Sequence, residues 1–151
     1  MAGFVNRAEN EASTRISPEV IRAEVARYWI AFTSKSQERL EEFYAPDASV
    51  FGSNAIRAEP GRLTVVRRSR EYFNPRAQLR HCLGQIDVQL FGNGTALASY
   101  TFQFEAHDVA GPMNVAKDEK IAHGRATQVF VSDPDGTLRI VHEHLSEVKP
   151  G

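Results

Sequence analysis

Cysteine occurs once, at Cys82, so the chain can close no internal disulfide and hold no all-cysteine zinc site, and a single thiol suits a reducing compartment. Charge of one sign is lacking too. Eighteen Lys and Arg stand against nineteen Asp and Glu, a formal net charge of -1, which gives the whole chain no electrostatic preference for nucleic acid or an anionic membrane. No apolar run reaches the length of a signal peptide or a bilayer span, so the expected setting is cytoplasmic, with no membrane and no nucleic acid as partner. Internal repeats, low-complexity segments and any motif that fixes a reaction are also missing. What remains is patterning over 151 residues, a length that can bury a core without staples.

Residues 1–15 are polar and unpatterned and read as a flexible arm; residues 16–151 read as one domain. Ser17-Pro18-Glu19 is a helix start, followed by Ile21, Val25, Tyr28, Trp29 and Phe32 at helical spacing. Ser34 to Gln37 suggests a capping box for a second helix carrying Leu40, Phe43 and Tyr44 and stopping near Pro46, with a short strand at Ala48 to Phe51. Pro60 to Phe73 reads as a third helix. From Ala77 the period becomes two. Ile86, Val88 and Leu90 alternate with polar residues, a Gly/Asn turn follows at Gly92 to Gly94, and Ala98, Tyr100, Phe102 and Phe104 alternate again. A strand at about Ile121 to Val131, a turn at Asp133 to Gly136 and a last strand from Leu138 to Val148 complete the chain. Helices followed by strands make an α+β domain, with the helices covering one face of a strongly curved antiparallel sheet.

The order from Pro18 to Val148 resembles the nuclear transport factor 2-like superfamily, particularly its SnoaL-like branch. The last hairpin, ATQVFVSDPDGTLRIVHEHLS, is similar to that of the association domain of calcium/calmodulin-dependent protein kinase II. The resemblance implies a cone of about three helices over a bent antiparallel sheet, a small-molecule pocket inside it, and a homodimer formed through the outer face of the sheet. The superfamily holds isomerases, dehydratases, cyclases and hydrolases beside members that only bind or assemble, so the fold does not choose the function. The kinase association domain presents pocket arginines at the positions of Gln128 and Leu145. This chain has neither arginine, so that family's anionic ligand is not carried over.

Strand parity places Val141, Glu143 and Leu145 on one face of the last strand and Ile140, His142, His144 and Ser146 on the other. A tight turn at Asp133 to Gly136 would set Gln128 near Val141 and Ala126 near Glu143 on the first face, and Arg125 near His144 and His123 near Ser146 on the second. Small residues Gly124 and Ala126 leave room beside Tyr100, Phe102 and Phe104, which makes the first face the pocket. Its lining is then Tyr100, Phe102, Phe104, Gln128, Phe130, Glu143 and Leu145, with Trp29 and Tyr44 as lids from the helices.

Glu143 is the candidate catalytic residue. A carboxylate among aromatic and aliphatic groups loses hydration, which suits it to moving protons near neutral pH, while Gln128 or a tyrosine hydroxyl holds a substrate carbonyl. The chemistry expected is cofactor-independent isomerisation, dehydration or ring closure of an apolar carbonyl metabolite. Two alternatives stay open: Glu143 lies wet or arginine-paired near the open end of the sheet, or the chain is a noncatalytic ligand-binding or homo-oligomerisation module. His142 and His144 share a face and, with His123, could share a zinc. Arg125 beside them, the lack of a placed carboxylate and the outer position weigh against it, so these four residues are assigned to an interface and no metal or cofactor is expected. His81-Cys82 is set aside as a nucleophile pair because neighbours on a strand face opposite ways, and Cys82 is expected to be buried. Residues 57–80 hold seven arginines against two glutamates, which reads as the solvated side of a helix.

Overall fold

The structure is a computed structural model and describes residues 16–51, 59–60, 77–108 and 120–148. The expected arm at 1–15 lies outside these residues. So does the expected third helix with its arginines, apart from Pro60, which belongs to a strand, and Arg80.

Helix α1 (Pro18–Thr33) starts where the sequence signals it. The Ser17 side chain accepts from the Val20 N–H, Pro18 occupies the first turn, and Ile21, Val25, Tyr28, Trp29 and Ala31 form the buried stripe. Helix α2 (Gln37–Glu42) is capped by Ser36, whose hydroxyl accepts from the Arg39 N–H, and it buries Leu40. Tyr44 is not on this helix. It opens strand β1 (Tyr44–Phe51), which tolerates Pro46 because the pairing register shifts between Tyr44 and Ser49.

The other strands are β2 (Glu59–Pro60), β3 (Ala77–Leu83), β4 (Asp87–Gly92), β5 (Thr95–Asp108), β6 (Lys120–Ser132) and β7 (Leu138–Glu147). They form one curved, open sheet in the order β2-β1-β7-β6-β5-β3, with β4 also pairing β5. The pairs are antiparallel except β1 with β7, which run parallel, so the sheet is mixed rather than wholly antiparallel. The β4–β5 turn takes Gly92, Asn93 and Gly94 through positive φ, a path open to glycine and asparagine at little cost. The core lies between α1 and the inner face of the sheet, where Ala96, Ala98, Ala126, Phe130 and Ile140 are buried.

The β6–β7 register differs from the one expected. Gln128 pairs with Glu143, Ala126 with Leu145, Arg125 with Ser146 and Thr127 with His144. The cause is an irregularity between Val129 and Phe130, opposite which Val141 is left without a partner while Ile140 pairs with Phe130. One extra residue reverses parity at that point, so Ile140 is fully buried in the core rather than on the outer face. Glu143, beyond the bulge, keeps its inner position.

Candidate active site

Glu143 projects from β7 between Gln128 on β6 and Val50 on β1, and only 2% of it is exposed. Burying a carboxylate is costly unless donors replace its water. Here they do. The Tyr44 hydroxyl donates to Oε1 at 2.8 Å and Oε2 at 2.9 Å, and the Gln128 amide nitrogen donates to Oε2 at 2.7 Å.

The direction of this network follows from chemistry. An indole N–H can only donate, so Trp29 Nε1 donates to the Tyr100 hydroxyl, 2.9 Å away, and that hydroxyl spends its hydrogen on Gln128 Oε1 at 2.8 Å. Gln128 therefore turns its amide nitrogen toward Glu143. On the other flank Tyr44 gives its hydrogen to Glu143, so Tyr28 donates across the 2.9 Å contact to Tyr44. Every donor converges on one carboxylate, the arrangement an ionised glutamate requires. Burial, reinforced by the Glu143 charge, pushes the Tyr28 and Tyr44 hydroxyls well above the usual phenol range, and burial raises Tyr100 likewise. All three remain protonated donors.

Aromatic rings wall the network. Trp29 lies 4.7 Å from Phe102 and 5.5 Å from Phe32 between ring centres, and Phe32 meets Phe104 edge-on at 5.3 Å. Phe102 lies over Gly124: a Cβ there would sit 2.2 Å from the ring, so glycine is what admits it.

The inner-face candidates Tyr100, Phe104, Gln128, Phe130 and Glu143 are thus buried on one face, with Phe102 and Leu145 half-buried beside them. Trp29 and Tyr44 are interior members of the network rather than lids, Trp29 because the apolar stripe of α1 faces the sheet and Tyr44 because it begins a central strand. His123, Arg125 and His144 are exposed and His142 half-buried on the outer face. There Ser49 contacts His142 Nδ1 at 2.7 Å, and His144 lies 5.4 Å from the Phe51 ring. Among the described residues no group of three or more His, Cys, Asp or Glu is arranged to hold a metal ion.

Cys82 corrects an expectation: it is exposed. Strand β3 sets His81 opposite Phe104 and Cys82 opposite Gln103, so the imidazole takes the inner face and the thiol the outer. His81 and Tyr28 are the inner polar groups that the sequence reading left out of the site. For Tyr28 a signal existed, a hydroxyl within the apolar stripe of α1; for His81 it was a place in phase with Phe104, visible only once β3 is registered on β5. A groove of about 640 Å³ among the described residues lies elsewhere, bounded by Val20, Glu24, Arg27, Phe43 and Leu138. Burial raises the Glu24 carboxyl there against the lowering pull of Arg27. Among the described residues no helix is long and apolar enough to cross a membrane.

No curated protein sequence matches the chain. Three solved structures of similar fold are informative. A protein of Xanthomonas campestris named for the calcium/calmodulin-dependent protein kinase II association domain superposes with a TM-score of 0.74 at 15% identity, over 90% of this chain and 91% of its own. An NTF2-like family protein of Streptomyces avermitilis, provisionally named a dehydratase, gives 0.73 at 19% identity, over 87% and 97%. A ketosteroid isomerase-like protein of Erwinia carotovora atroseptica gives 0.67 at 13% identity, over 87% and 96%. At these identities the likeness shows the fold, which is NTF2-like. The family of the SnoaL-like domain matches residues 21–150, and the chain belongs to that family.

Proposed function

We propose that the chain is a small-molecule-pocket protein that works without a cofactor, by general acid–base proton transfer on an apolar, carbonyl-containing metabolite, as an isomerase, dehydratase or cyclase. The observation that carries this reading is the buried Glu143 carboxylate with tyrosine and amide donors aimed at it. Glu143 takes a proton from the carbon beside the carbonyl, and the electron pair moves onto the carbonyl oxygen. Gln128 Nε2 has a second hydrogen beyond the one given to Glu143, and that hydrogen holds the carbonyl as negative charge develops. The names of the isomerase-like and dehydratase relatives support the reaction class. A reducing, cytoplasmic setting belongs to the same proposal, supported by the one unpaired thiol.

A second reading, a noncatalytic ligand-binding or self-assembly module, is favoured by the closure of the network: both Glu143 oxygens already accept hydrogen bonds. A homodimer through the outer face is proposed under either reading, supported by Phe51, Ile121, His142 and His144 on that surface. Sedimentation showing a monomer at micromolar concentration would exclude it. The two readings separate in a thermal-shift screen of carbonyl metabolites against wild type and Glu143→Gln. Hits turned over by wild type and left intact by the variant support catalysis. Hits that stabilise both proteins and are recovered unchanged exclude it.

A further inference from the structure

The inner face carries one more ionisable group. His81 stands on β3 opposite the buried Phe104, half-buried under the C-terminal end of α1, with its ring 5.9 Å from that of Trp29. Its Nδ1 lies 3.1 Å from Thr33 Oγ1. The Thr33 hydroxyl has one hydrogen, and the Trp29 carbonyl takes it at 2.8 Å. Oγ1 is left as an acceptor, so Nδ1 carries the imidazole proton. That fixes the tautomer: Nε2 keeps its lone pair and has no hydrogen-bond partner among the described residues. Burial also lowers the affinity of the ring for a second proton, which keeps it neutral at pH 7. The nearest charges along the strand, Arg80 and the opposed Glu105, project to the other face.

We infer that His81 is a second catalytic general base of this pocket, serving planar substrates with a carbonyl-activated C–H that lie against the half-buried Phe102 ring. The inference rests on the proton-transfer reading of the pocket but not on Glu143 being the group that moves the proton. Both Glu143 oxygens are occupied by donors, whereas the Nε2 lone pair meets no donor among the described residues. In the step, Nε2 bonds the proton while the C–H electron pair enters the enolate and its charge rests on oxygen. The imidazolium then returns that proton to a second carbon, or to a departing hydroxyl that leaves as water. Nothing is oxidised or reduced. Thr33 is a positioning residue: it sets the tautomer without touching the substrate.

The test uses 5-nitrobenzisoxazole, a flat aromatic C–H acid. A base removes its ring proton, the N–O bond breaks, and a coloured cyanophenolate forms. Wild type is expected to exceed buffer, and His81→Gln to lower the rate about a hundredfold, the usual worth of a placed base. The rate should decline only as pH falls below the ordinary imidazole value of 6.5. Cys82→Ser, exposed on the outer face of the same strand, should keep the wild-type rate. Thr33→Val should lower it with an unchanged melting temperature, and nitrogen NMR of labelled histidine should show His81 moving from the Nδ1–H to the Nε2–H form. A wild-type rate no greater than buffer, a rate indifferent to His81→Gln, or an Nε2–H tautomer in wild type each overturns the inference. Loss in Glu143→Gln alone overturns it too, while leaving the Glu143 proposal standing.

Discussion

Replacing Glu143 with leucine removes two acceptor oxygens but leaves the donors in place. The Gln128 amide and the Tyr44 hydroxyl would then point at hydrocarbon. Each buried donor left without an acceptor costs about 1–3 kcal/mol, so two cost about 2–6 kcal/mol. Glutamine at the same position is gentler. Its oxygen can still accept from Gln128, and its amide can donate to Tyr44 if that hydroxyl reverses toward Tyr28, a contact at 2.9 Å in which either oxygen can be the donor. One hydrogen bond is forfeited, about 1 kcal/mol. Urea unfolding followed by the fluorescence of Trp29, the one tryptophan, reads the difference. With a slope of about 2 kcal/mol per molar urea, the leucine midpoint should fall by roughly 1–3 M and the glutamine midpoint by less than about 1 M. Should leucine alone prevent folding, a Tyr28→Phe/Tyr44→Phe/Glu143→Leu protein, which deletes the tyrosine donors of that branch with the acceptor and leaves Gln128 to hold Tyr100, should recover part of the stability. A leucine variant as stable as the glutamine variant would refute the argument, because it would mean that the donors are not buried against the carboxylate.

Alkali should also find the network. Tyr28, Tyr44 and Tyr100 have folded values raised above the unfolded value near 10, so their stabilisation is complete below pH 10 and is lost as pH rises beyond it, by up to about 1.4 kcal/mol per pH unit for each. Ultraviolet titration should therefore show these three ionising together with unfolding; independent ionisation near pH 10 in folded protein would contradict their burial. Gly124→Ala should cost about 1–3 kcal/mol by driving Phe102 off its seat, and should shift Trp29 emission because the two rings are in contact. An alanine variant of wild-type stability would mean that Phe102 does not lie over position 124.

The face of Glu143 was legible in the sequence because β5 and β6 are long and clean in alternation, and because Gly124 and Ala126 match the aromatic run at Tyr100 to Phe104. The register was not. Parity counts residues, and a bulge adds one, so the reasoning that placed Glu143 correctly sent Ile140 to the wrong face and set Gln128 opposite Val141. Cys82 failed for a related reason: alternation says that neighbours differ in face, and only pairing with β5 says which neighbour is inside. Partners far apart in sequence lay beyond reach. The Trp29–Tyr100 bond spans 71 residues and depends on how α1 is rotated over the sheet, which a stripe of apolar residues leaves loose by a fraction of a turn.

Trp29 gives the site its polarity. A chain of hydroxyls and amides can run in either direction, because each member both donates and accepts; only its ends decide. Here one end is an indole that cannot accept and the other a carboxylate that, ionised, cannot donate, so Tyr100 and Gln128 between them have one orientation left. The same indole flanks His81, and the Trp29 backbone carbonyl takes the Thr33 hydrogen that settles the imidazole tautomer. One residue on α1 therefore orients both groups proposed to move protons, and does so when the helix docks rather than when a substrate arrives. Dipoles fixed at folding need not reorganise during a reaction, which is the condition under which they lower a barrier most.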